Sequence, residues 1–183
     1  MIFCGRPMNG IGSSAKLAAR IPEYVMSFSL KSTLQSAVLS LALVSTVKAS
    51  ETLDLDVYKS PTCGCCTGWV DHANGHGLVV TSHNTSDLSG LKQYYGIAPA
   101  YRSCHTAVSA EGYVFEGHVP ARLVESFLQN PPAGAMGLTV PAMPVGSPGM
   151  EMGDKFMPYQ VLQLNQDGTT TLFADITDPS QQY

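Results

Sequence analysis

The chain has 183 residues, 44% hydrophobic and 13% charged, with 14 acidic against 10 basic side chains. That is room for one domain with a sizeable core and little else. The acidic balance argues against nucleic acid and anionic membrane surfaces as partners, since both carry the same sign of charge.

In chain order, the first signals concern targeting rather than fold. Residues 1–25 fit no targeting pattern and are expected to be a non-native or disordered extension. Met26 is an alternative start, in which case Cys4 is absent from the mature chain. Residues 26–49 read as a signal peptide. Lys31 supplies a positive start, Leu34 to Val47 an apolar stretch, and Val-Lys-Ala a small residue for cleavage after Ala49. An apolar stretch of 14 residues is too short to span a bilayer, which takes about 20 in a helix. Export is therefore expected, with no stable membrane insertion after signal removal. The remaining chain, Ser50 to Tyr183, carries 13 Asp and Glu against 5 Lys and Arg, a net charge of −8.

Leu53 to Lys59 (LDLDVYK) alternates apolar and polar residues as a strand does. Pro61-Thr62 breaks it, and a helix is predicted from about Cys63 to Asn74, stopping at Gly75 or Gly77. Leu78 to Ser82 reads as a β-branched strand, and Ser86-Asp87 as the cap of a second helix ending at Gly96. His105 to Ser109 and Tyr113 to Glu116, joined by Ala110-Glu111-Gly112, read as a hairpin. Pro120 opens a third helix with Leu123, Val124, Phe127 and Leu128 on one face. The order β-α-β-α-β-β-α over residues 50–130 is that of a thioredoxin-like α/β domain. Residues 131–183 follow as a Pro/Gly/Met-rich extension packed on the same domain. The extension is too rich in Pro and Gly for regular structure until a closing hairpin, Tyr159 to Leu164 and Thr169 to Ala174.

That topology makes a prediction about chemistry. Residues 60–69 read SPTCGCCTGW, three thiols within four positions. With the first two strands parallel and the hairpin antiparallel to the first, Cys63, Cys65 and Cys66 share an edge of the sheet with Ser103-Cys104-His105. The end of the fourth strand, Gly117-His118, returns to the same edge. Cys63 falls near the helix N-cap and Cys66 near the third helical position, where free backbone N–H groups favour thiolate.

Three readings of the sulfur remain open on residues alone. Cys63 and Cys66 have the spacing of a thiol–disulfide oxidoreductase, although Cys65 between them would interfere with simple exchange. A structural disulfide with a stray thiol is the plain expectation for an exported chain. A soft-metal site is the third, because clustered thiolates select copper(I), zinc or iron–sulfur. Zinc usually needs a second Cys-x-x-Cys pair, which the chain lacks.

The methionines favour metal. All five that follow residue 50 fall between Met136 and Met157, outside every predicted helix and strand, where core-filling methionine would be scattered. A thioether binds copper(I) and cannot be lost to a disulfide. Met143 in Pro-Ala-Met-Pro and Met150 in Ser-Pro-Gly-Met-Glu sit between turn residues that hold a sulfur in place. His72 and His76 have the i, i+4 spacing of a zinc pair but no third ligand nearby, and are not taken as a site. Trp69 is expected to pack in the core.

The motifs VYKSPTCGCCTGW, SCHTA, EGHVP, GLTVPAMPVGSPGME and YQVLQLNQDG occur in this order. Together they resemble the CopG-type copper-resistance proteins of Gram-negative bacteria, over about Leu53 to Phe173. The resemblance implies a periplasmic protein of thioredoxin-like fold holding several thiolate-bridged copper ions, with a role in interconverting Cu(I) and Cu(II). It carries the bridging role to Cys63, Cys65, Cys66 and Cys104, with His105 as an imidazole ligand. His118 is a candidate ligand or supporting group, and Met143, Met150 and Met152 are candidates to close the site. A monomer is expected, working with a periplasmic copper efflux system or an electron-transfer partner; a passive copper carrier and a metal-free thiol oxidoreductase are the alternatives.

Overall fold

A computed structural model describes residues 52–183. The expected extension (1–25) and signal peptide (26–49) lie outside the described residues, as does Cys4. Ten regular elements follow one another: β1 (Leu53–Lys59), α1 (Gly64–Gly75), β2 (Leu78–Asn84), α2 (Leu88–Tyr94), β3 (Thr106–Ser109), β4 (Val114–Glu116), α3 (Ala121–Gln129), β5 (Ala135–Thr139), β6 (Tyr159–Asn165) and β7 (Thr170–Ile176). Short 3-10 turns occupy Pro99–Tyr101 and Pro179–Gln182. The protein is a mixed α/β structure.

All seven strands join one sheet in the order β2-β1-β3-β4-β5-β6-β7. β1 runs parallel to β2 and antiparallel to β3, and β3 is antiparallel to β4. In β1 the alternation decides the facing: Leu55 and Val57 are buried while Asp54 and Asp56 are exposed. Asp87 caps α2 by accepting from Gly90 N at 2.8 Å. In α3 the buried face is Ala121, Leu123, Val124 and Phe127. Phe127 packs edge-on against Phe115 of β4, with ring centroids 5.6 Å apart, in a core that also includes Trp69, Leu138, Val161 and Ile176. Burying one such large side chain contributes roughly 1.5–3 kcal/mol, and here the contributions come from both the first and last thirds of the described chain.

One prediction fails. The Pro/Gly-rich stretch after α3 contains a strand, β5, parallel to β4 and antiparallel to β6. No local pattern announces it, because its stability comes from β4 and β6 on either side. Gly137 is required there: a Cβ would lie 1.7 Å from the Val114 carbonyl oxygen. Met136 therefore belongs to a strand, lining a cavity with Tyr94, Tyr95 and Tyr113, and is not part of an irregular methionine loop.

Candidate metal centre

The chain leaves β1 at Lys59, turns through Pro61-Thr62 and enters α1 with Cys63 as N-cap. The Cys63 sulfur accepts from Cys66 N at 3.3 Å, taking the place an Asp or Ser oxygen usually holds. Cys65 Sγ lies 3.4 Å from Cys63 Sγ, and Cys66 Sγ lies 3.8 Å from the Cys104 carbonyl oxygen. The sulfurs of Cys63, Cys65, Cys66 and Cys104 all lie within 4.8 Å of one another. Cys63 and Cys66 are joined as a disulfide, whereas Cys65 and Cys104 are free. Two of the four expected thiolates are thus tied up in this state, and both become donors only after reduction.

Cys104 also belongs to a second donor group with His105 and His118, again within 4.8 Å. His118 Nε2 is 2.9 Å and His105 Nδ1 is 3.3 Å from the Cys104 sulfur. The other nitrogen of His118, Nδ1, donates to the Pro148 carbonyl at 2.8 Å. That bond fixes the tautomer and leaves Nε2 as a bare lone pair facing sulfur, the usual arrangement behind a metal-binding imidazole. His105 is fully buried against Trp69 and His118, and its Nε2 has no hydrogen-bond partner.

Burial sets the protonation of this group. It pushes the His105 pKa well below the ordinary value, helped by His118, Lys92 and Lys59. The His118 pKa also falls by burial, opposed by the Pro148 carbonyl and Glu151. Both imidazoles are therefore neutral near pH 7 and able to bind metal. Burial, with Cys65 beside it, pushes the Cys104 thiol up to about 12. Without metal Cys104 keeps its proton, so a metal ion that takes this sulfur must displace one. The donor set, sulfur with neutral imidazole and no carboxylate in either group, fits a soft or borderline ion.

The residues that hold Cys104 in place escape sequence reasoning. Glu116, fully buried at the end of β4, accepts from Ser103 N at 2.6 Å, Thr106 Oγ1 at 2.7 Å and Lys92 Nζ at 2.5 Å. Lys92 reaches it from α2 and also donates to Thr106 Oγ1. Two charged residues in short apolar segments read as surface, and only their meeting across elements reveals them. Gly149 is a second case. With φ of +84°, it rests on the first turns of α1, where a Cβ would come within 2.5 Å of both Cys65 O and Trp69 N. By contrast, Gly64, within the sulfur motif, has open space around it.

The three candidate methionines lie on the loop that follows β5. Met150 follows Gly149, and its backbone closes a turn with Gly146 and Ser147. Met143 follows Ala142, whose carbonyl takes the Ser103 hydroxyl. Met143 and Met152 are 50% and 55% exposed, which excludes a role as core filler, and Met152 sits in a turn closed by Lys155. The His72 and His76 rings are tilted against each other, His76 stacks on Tyr183, and His72 Nε2 accepts from Ala121 N at 3.1 Å. Each is engaged within the fold.

Comparison with known proteins agrees with this picture. Residues 101–150 match the family described as "Protein of unknown function, DUF411". No curated protein matches the chain. Two solved structures are similar. "Copper resistance protein copG- Form 1" shares 42% identity at a TM-score of 0.64, covering 68% of this chain and 98% of its own. "Copper resistance protein copG- Form 2" shares 41% identity with the same TM-score and coverage. Sulfur and imidazole gathered from separate segments thus occur in a chain that belongs to the CopG-type copper-resistance family.

Proposed function

We propose that the protein is an exported, periplasmic copper-binding protein of copper resistance. Copper is its cargo. In the reduced chain, Cys63, Cys65, Cys66 and Cys104 bridge several copper ions as thiolates. His105 and His118 supply imidazole, and Met143, Met150 and Met152 close the site from the loop. The domain from 50 to 130 is of thioredoxin-like type, with 131–183 built onto it, 26–49 as a signal peptide and 1–25 as an extension outside the working protein. The chain acts as a monomer with an efflux system or electron-transfer partner.

The observation that carries this reading is the pair of donor groups joined at Cys104. The all-sulfur group suits copper(I). The second group, one cysteine with two histidines, includes imidazole, which tolerates either oxidation state. A protein with both side by side is equipped to hold copper while its valence changes, which supports interconversion of Cu(I) and Cu(II) over simple storage.

Elemental analysis of the protein recovered from the periplasm tests the proposal. Several copper equivalents per chain and thiolate charge-transfer bands are expected, with both diminished in Cys65→Ser. A colourless, copper-free protein that reduces insulin disulfides would replace it with the second reading, a thiol–disulfide oxidoreductase. The Cys63–Cys66 bond at the helix start favours that reading specifically. Catalytic turnover of copper valence with a defined electron partner separates an enzyme from a passive carrier.

A further inference from the structure

We infer that Cys63 and Cys66 are the site's own electron store: as a dithiol they reduce two copper(II) ions to copper(I), and the disulfide seen between them is the spent form. This rests on the copper reading above. Four sulfurs are mutually within 4.8 Å, yet only one pair is bonded, Cys63 with Cys66, while Cys65 and Cys104 stay free. The four cysteines thus divide into a couple that can cycle and a pair that remains as ligands.

The step balances without any other reactant. Each of two copper(II) ions takes one electron. Cys63 and Cys66 together give up two electrons and two protons and form one S–S bond; the protons pass to solvent. The direction follows from ligand preference. Sulfur surroundings stabilise copper(I) over copper(II), so copper(II) is the oxidant and the dithiol the reductant. Recharging is a separate two-electron exchange with a dithiol-class reductant, for which the helix-start position suits Cys63.

The same step changes the donor set. Bond formation removes Cys63 and Cys66 as bridges and leaves Cys65, Cys104, His105 and His118. Copper(I) made at the site then faces two sulfurs in place of four, so reduction and release are coupled. The free cysteines have partners that keep them in position in the spent form. Cys104 is held between two imidazoles, and the backbone of Cys65 lies under the Gly149 turn.

The test uses the purified chain, prereduced with a phosphine and freed of it without oxygen. Copper(II) is added in the presence of a chromogenic copper(I) chelator. Free thiols are then counted under denaturing conditions and disulfides are mapped by peptide mass spectrometry. Two copper(I) per chain, the loss of two thiols and a Cys63–Cys66 linkage are expected. The double variant Cys63→Ser with Cys66→Ser should lose this stoichiometry. Without chelator, the oxidised chain should retain about half the copper(I) of the reduced chain or less, as two of four bridging sulfurs are withdrawn. A prereduced chain that binds copper(I) but gives up no thiols to copper(II) overturns this inference alone. So does a disulfide mapped elsewhere, or an unchanged yield in the double variant. A prereduced chain that binds no copper(I) overturns the copper reading and this inference with it.

Discussion

Replacing Lys92 by Met removes the counter-ion of a carboxylate that has no exposure at all. The two groups are 2.5 Å apart, with side chains 5% and 0% exposed, so solvent cannot take over for either. Breaking a buried pair from one side costs about 3–5 kcal/mol, because the remaining charge is stranded. That is a large part of the ~5–15 kcal/mol by which a domain of this size is stable. Glu116→Leu should cost a similar amount by stranding Lys92. In the double variant Lys92→Met with Glu116→Leu, no charge is stranded. What remains is the loss of acceptors for Ser103 N and Thr106 Oγ1, about 1–3 kcal/mol. The singles should therefore be non-additive by at least ~2 kcal/mol. Urea unfolding of the metal-free chain measures this, followed by the fluorescence of Trp69, the chain's single tryptophan and fully buried. Single costs that simply add, within about 0.5 kcal/mol, would refute the argument that these charges are held by each other. The double variant also separates stability from function: folded but without the Ser103 tether, it should bind less copper through Cys104.

Other perturbations follow from the same geometry. Gly149→Ala puts a methyl group against Cys65 O and Trp69 N at a positive φ, and should lower thermal stability by about 2 kcal/mol or more and loosen copper binding, read by calorimetry and metal stoichiometry. Gly137→Ala should do more damage, since its Cβ would overlap the Val114 carbonyl; a soluble variant with unchanged Tm would disprove the β4–β5 pairing. Burial, then His76, lower the His72 pKa to about 4, with Glu151 opposing. Above pH 6.5 His72 is neutral folded and unfolded, so its contribution is fully present. As pH falls towards about 4 the unfolded chain takes up the proton first and stability is lost, on the order of 2 kcal/mol after allowing for solvent screening. Thermal melts of His72→Gln across that window should show a shallower decline than the parent. His118→Ala should weaken copper binding about 10–100-fold, whether the ring binds copper or orients a ligand, as followed by competition with a chelator.

Much of the fold is legible locally. The alternation in β1, the Asp87 cap, the Pro120 start and the apolar face of α3 each need only a few neighbouring residues, and the structure has all four. The sulfur motif is legible too, because Cys63 and Cys66 lie one helical turn apart directly after a strand. The expected approach of Cys104 to that motif follows from strand direction and is seen in the distances, whereas His118 lies in a second group with Cys104 and His105.

Sequence alone therefore determined the order of the elements up to α3, the soft-donor chemistry and the family resemblance, all of which depend on spacing along the chain. Tertiary structure decided the strand hidden in the Pro/Gly stretch, the Lys92–Glu116 clamp behind Cys104, the Gly149 turn on α1 and which two of four sulfurs are bonded. Each of these depends on an atom brought in from a distant segment. Such contacts leave no period or composition to read, because a buried charge or a glycine looks ordinary until its neighbour is known.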